Sequence, residues 1–165
     1  MIEMDPRLPV EHASPTVHDL RVQEVAAQIA AIAPDVPEVA LERTARPARG
    51  QFLSDFYAVL HEGEQVGNCV VQTNKRSRER MFGGIAMDRK NEGFGMATYR
   101  AAILSAMAEG YDFRTHDYSQ TLGAVHIWEK LHAAGVAEVV EPFTAPDKSL
   151  KSVGHFVVRA ASAKS

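Results

Sequence analysis

The chain has 165 residues and a mass of 18.1 kDa, enough for one domain that buries about 70% of its unfolded surface without staples. Hydrophobic residues make up 45% and charged residues 24%, which excludes a wholly disordered, collagen-like or fibrous chain. The formal net charge of −3 lacks the basic field of a general nucleic-acid binder. The lone cysteine, Cys69, excludes an intrachain disulfide and a multi-cysteine zinc site.

Residues 1–14 read as an N-terminal arm and 15–165 as a single domain. The start, Met1 to Pro6, has no basic region leading into an apolar core, so it is not a secretory signal. No run approaches the roughly 18 apolar residues that span a bilayer. These features, with one unpaired thiol, fit a soluble protein of the reducing cytoplasm. No nucleic acid and no membrane is expected as a partner.

Ser14-Pro15-Thr16 opens a helix, since Ser or Thr can cap free N–H groups and proline fits a first turn. Val22, Val25, Ile29 and Ile32 give it one apolar face, and Pro34 and Pro37 stop it. A short helix is expected around 37–43, then a loop over Arg43–Gly50. Phe56–Leu60 and Gln65–Val71 form a hairpin about a turn at 61–64. The basic stretch Lys75–Arg80 is a polar connection with two readings, a solvated hairpin tip or a contact for a nucleotide's phosphate. Met81–Met87 is a third strand whose Gly83-Gly84 pair predicts a bulge or close backbone approach.

Asp88–Gly95 is a polar loop opening a helix with apolar positions Met96, Tyr99, Ile103 and Ala106, closed by Gly110. Phe113–Tyr118 is a strand, and Thr121–Ala134 a second strong helix stopped by Gly135. Val136–Phe143 and Gly154–Arg159 are the last strands. The order gives an α/β (α+β) domain with a mixed central sheet.

The strand, glycine loop and helix over 82–96 form a candidate pyrophosphate cradle. First-turn N–H groups lack intrahelical acceptors, and the helix dipole adds partial positive charge. Gly93 and Gly95 admit a close backbone approach, and Arg89 and Lys90 add full charge. The pattern is neither a P-loop nor a dinucleotide fingerprint. A tight strand-to-helix turn with a solvated face is the other reading of the same residues. No hydrolase motif and no metal-ligand spacing accompanies them.

Two segments carry a resemblance. Ile85-x-Met87-x-x-Lys90-Asn91-x-Gly93-Phe94-Gly95 resembles the acetyl-CoA loop of the GNAT N-acetyltransferase family, roughly Val-x-Pro-x-x-Arg/Gln-Gly-x-Gly-x-Gly or Ala. Thr121-Leu-Gly-Ala124 leading into Ile127-Trp128-Glu129-Lys130-Leu131 resembles that family's later helix. The likeness spans about residues 17–160. It implies a mixed, mostly antiparallel central sheet flanked by helices on both faces. It also implies acetyl-CoA as co-substrate and acetyl transfer to a primary amine by direct attack in a ternary complex.

By the same resemblance, strand 82–87 would splay from strand 113–118, with backbone amides of Ile85, Ala86 and Met87 along the pantetheine arm. Lys90, Asn91, Glu92, Gly93, Phe94, Gly95 and Met96 would hold the pyrophosphate, with Thr121 and Trp128 on the later helix beside the cofactor. Trp128 stands where the family often places a tyrosine that reprotonates the departing thiolate, and indole has no useful acidity. His116, Tyr118 and Ser119 end the cleft strand and are the candidates for proton transfer. The acceptor would be a small-molecule or protein amine, and the family allows a homodimer. A non-catalytic module of the same fold, binding CoA or a protein partner, is the alternative reading.

Overall fold

The structure, a computed structural model, describes residues 17–46, 48–49, 52–89, 92–116, 120–144 and 151–161. The N-terminal arm, the capping residues Ser14–Thr16, and Lys90, Asn91, Tyr118 and Ser119 lie outside the described residues.

Helix α1, Val17–Ile32, turns the expected face inward, with Val25 and Ile29 fully buried. Strand β1, Ala40–Ala45, follows where a short helix was expected. Only Leu41 of it is partly buried, so no local apolar period specifies it. It is a strand because β3, Phe52–His61, offers its edge, pairing Ala40 with Leu60 and Arg43 with Tyr57. The expected loop at 43–50 likewise holds the end of β1 and a two-residue β2, Ala48–Arg49, on the same edge.

The hairpin of β3 and β4, Glu64–Asn74, forms as expected but longer at both ends. Its turn, Glu62-Gly63, has φ of 52° and 81°; positive φ at both central residues matches the right-handed twist of the flanking strands. Strand β5, Glu79–Met87, takes in the end of the basic stretch. The predicted bulge is present. Val71 pairs with Phe82 and Val70 with Gly84, leaving Gly83 as the extra residue.

Helix α2, Phe94–Ala108, starts two residues earlier than expected, after Gly93. Strand β6, Asp112–Arg114, is shorter than expected; past its end the Thr115 N–H still donates to Phe156 O of β9 at 3.0 Å. After β7, Gln120–Thr121, come α3, Leu122–Ala133, then β8, Glu138–Thr144, and β9, Lys151–Val158. The sheet runs β1-β3-β4-β5-β6-β9, with β7 and β8 also pairing β9. The step from β5 to β6 is parallel and crosses through α2, while the other described pairings are antiparallel. This is the mixed, mostly antiparallel α/β class read from the sequence.

Residues of the three described helices enter one core cluster with Val59, Cys69, Val71, Phe82, Phe113 and Phe156 of the sheet. No described helix is long and apolar enough to cross a membrane.

Candidate functional site

The site begins where the sheet opens. Among the described residues, strands β5 and β6 pair only at Glu79 with Asp112 and Arg80 with Phe113. Beyond that point β5 runs on to Met87 while β6 ends at Arg114, with Thr115 still bonded to β9. The Gly83 bulge bends β5 at the same place. Among the described residues, the outer half of β5 therefore keeps one edge without a neighbouring strand. Asp88 N–H donates to Val66 O at 2.8 Å. Alternation along a strand then aims the amides of Met87 and Ile85 away from β4, into the opening.

Two connected cavities occupy the opening. One, of about 500 Å³, lies between Ile85, Ala86 and Met87 of β5, Gly95 of α2, and Gly123 and Ile127 of α3. The other, of about 330 Å³, lies between the bare backbone of Gly83-Gly84, His116 and Gln120. Ile85, Tyr99, Thr121 and Ala124 border both, so the two adjoin and are described together as the groove.

At one end the groove meets the start of α2. Gly93 is the N-cap with φ of +81°, no cap hydrogen bond from a side chain is found among the described residues, and the first turn holds no acidic residue. Those amides face outward as donors for an anion. Arg89 sits beside them, its guanidinium 5.3 Å from the centre of the Phe94 ring and 3.7 Å from Glu92. Phe94 itself is buried, packed 5.2 Å from His61. It anchors the loop rather than lining the groove. Glu92, Gly93 and Met96 border a separate recess with Lys130, outside the groove.

Thr121 has two roles. Its hydroxyl accepts from Ala124 N–H at 3.3 Å, which caps α3, and it borders both cavities. His116 borders the smaller cavity, half-buried, with Gln120 donating to its carbonyl at 3.4 Å. Trp128 is a packing residue of the core. It is 1% exposed and lies behind the groove, stacked on Phe113 at 6.2 Å and edge-on to Tyr99 at 6.0 Å.

Tyr99 is the groove residue the sequence reading missed. Its spacing marks it only as one more apolar position of α2. The signal that it differs is its hydroxyl, which a core position does not need. Burial pushes its phenol up to about 12, against a smaller lowering by the indole N–H of Trp128. Cys69 is buried on β4 and burial pushes its thiol up to about 12, so it is no nucleophile at neutral pH. The basic stretch lies at the opposite end of β5 from Gly93. There Arg80 pairs with Glu109 at 2.6 Å, and Arg78 and Arg80 lie over Tyr111. That placement favours a hairpin tip over a phosphate contact.

No family model matches the chain, and no curated protein matches it. Among solved structures, it is similar to the ribosomal-protein-S18-alanine N-acetyltransferase from Escherichia coli. The identity is 14%, the TM-score 0.49, and the match covers 70% of this chain and 74% of that one. It is also similar to a candidate streptothricin acetyltransferase from Bacillus anthracis str. Ames, solved in complex with acetyl coenzyme A. There the identity is 10%, the TM-score 0.45, and the cover 76% and 86%. Nourseothricin acetyltransferase is a third, at 11% identity, TM-score 0.44, and cover of 75% and 85%. What the groove can do is set by its own residues.

Proposed function

We propose that the protein is a GNAT-type acyl-CoA-dependent N-acyltransferase, moving an acetyl group from acetyl-CoA to a primary amine by direct attack in a ternary complex. One observation carries this reading: the groove joins the first turn of α2 at Gly95 to a stretch of β5 backbone that no described strand pairs, and ends in a chamber beside His116. A long ligand with a diphosphate at one end and a reactive acyl group at the other fits that sequence of surfaces.

The free amides at the start of α2, with Arg89, would hold the diphosphate. The outward amides of Ile85 and Met87 would pair with the amide groups of the arm, as a neighbouring strand would. Ile127 and Ala124 give the arm an apolar wall. Acetyl-CoA would supply an acyl carbon already bonded to a good leaving group. The chain's part is mostly to hold amine and thioester in line, the effect that makes intramolecular reactions fast. One β5 amide aimed at the thioester oxygen would stabilise charge developing there. His116, in the chamber the amine would enter, would take up the proton the amine must lose. Free CoA and an unpaired thiol such as Cys69 coexist in a reducing cytoplasm, where the reading places the protein.

The burial of Trp128 behind the groove favours one second reading, a module that binds CoA without transfer. Calorimetry with acetyl-CoA, ATP and NAD, followed by release of free CoA thiol on a broad panel of amines, tests both. Acetyl-CoA binding with turnover supports transfer, and binding without turnover on any amine supports the module. Equal or better binding of ATP or NAD removes both.

A further inference from the structure

His61, the last residue of β3, lies 5.2 Å from the ring of Phe94, the first residue of α2. The Arg89 guanidinium lies 5.3 Å from the same ring. His61 Nδ1 lies 2.8 Å from Glu38 O. A carbonyl only accepts, so Nδ1 carries the hydrogen and donates, which leaves Nε2 for a second proton. The ring can therefore gain charge and keep this bond. On its own hairpin it faces Glu62, 3.9 Å from Nε2, and Glu64, its cross-strand partner. The turn before β1 and helix α2 bring Glu38 and Arg100, 3.7 Å apart. The loop before α2 brings Arg89 and Glu92, also 3.7 Å apart. Of these side chains, only histidine is of a type that changes charge between about pH 5 and pH 8.

We propose that His61 is a positioning residue for the diphosphate of the acyl-CoA ligand, acting through Phe94 and acting more strongly when its ring takes a proton; the proposal rests on the acyltransferase reading above. The neutral ring, tied to Glu38 O, backs Phe94 and so keeps the first amides of α2 and the Arg89 guanidinium in place. The protonated ring keeps that contact, because a cation is attracted to the face of an aromatic ring. It also sets one more positive charge behind the anion site. At about 10 Å, with the screening of a half-exposed position, such a charge changes the affinity for an anion about threefold. Ligand binding at this end of the groove is therefore tuned by pH through a residue that lies outside the groove.

Calorimetry on the full chain tests this, with acetyl-CoA that lacks its 3′-phosphate, at about pH 8 and about pH 5.5. A phosphate monoester takes up a proton near pH 6, whereas the diphosphate keeps its charge across the interval. The wild type should bind about threefold more tightly at the lower pH. His61→Gln should bind more weakly than the wild type at both values and show no gain between them. His116 borders the other end of the groove and is present in both proteins, so the difference between them reports His61. A loss of packing alone would lower affinity and leave the pH response as it is. Should His61→Gln lose its cooperative melt, His61→Asn takes its place. Equal affinity of wild type and variant at the higher pH, or the same gain in both at the lower one, overturns the role of His61. A wild type that binds no acetyl-CoA, with or without that phosphate, sinks the acyltransferase reading, and this proposal with it.

Discussion

Gly93 packs against Pro37: a Cβ on Gly93 would stand 3.1 Å from the proline Cδ, and its φ is +81°. The helix start is therefore positioned by the turn after α1, which Arg100 also ties by donating to Pro37 O at 3.0 Å. Gly95, two residues on, is under neither constraint. A Cβ there would lie 3.9 Å from Ile127 Cδ1, inside the groove.

The two glycines should separate folding from binding. Gly95→Leu fills the groove at an ordinary helical position, so acetyl-CoA affinity should fall at least about tenfold while the melting point holds or rises, since glycine in a helix costs about 1 kcal/mol. Gly93→Ala should lower both affinity and melting point. Calorimetry and thermal melts on the two variants decide it; full affinity in Gly95→Leu would remove the arm from this groove.

His116 should affect turnover rather than binding. His116→Gln leaves the groove floor and the helix start intact, so affinity for acetyl-CoA should stay as it is. The rate on an accepted amine should drop by about 100-fold or more if the ring moves the amine proton. Steady-state kinetics beside calorimetry will separate the two, and an unchanged rate would dismiss His116.

Thr121 caps α3 through its hydroxyl. Thr121→Ala should cost about 1 kcal/mol in urea unfolding, because the Ala124 amide loses its acceptor. Thr121→Ser keeps the oxygen and should recover most of that loss. Equal losses in both would point to packing of the methyl group instead.

Alkaline pH should loosen the fold through Cys69. Burial raises its thiol from 9.0 to about 12, so between those values the folded chain holds a proton the unfolded chain has released. Stability from this group is full below pH 9.0 and is lost as pH climbs toward 12, with a slope of about 1.4 kcal/mol per pH unit. Tyr99 adds loss of the same sign from 10.0 to about 12. Unfolding free energies at about pH 9 and about pH 11 should show a smaller drop in Cys69→Ala than in the wild type. A thiol reagent should label Cys69 only in denaturant.

Much of this molecule is written locally. Helix α3 has its cap in Thr121 and its stop in Gly135, the β3–β4 turn has Gly63, and the Gly83 bulge follows from the absence of a side chain. Such features depend on backbone conformations that only certain residues allow, so neighbours in the chain suffice to reveal them. The loop into α2 is legible for the same reason.

What pairing and packing decide is not visible that way. Residues 40–45 carry no inward period, and only the edge of β3 makes them a strand. The opening lies past the last described pairing of β5 with β6, where Thr115 stays bonded to Phe156 of β9, a contact across 41 residues. Tyr99 and Trp128 are 29 residues apart, each unremarkable on its own helix. They become an edge-on aromatic pair beside the groove only when the crossover through α2 and the return through α3 bring both onto Phe82 and Phe113. Local chemistry gives the chain its helix start for an anion, whereas long-range packing selects the side chains that stand beside the space it leads to.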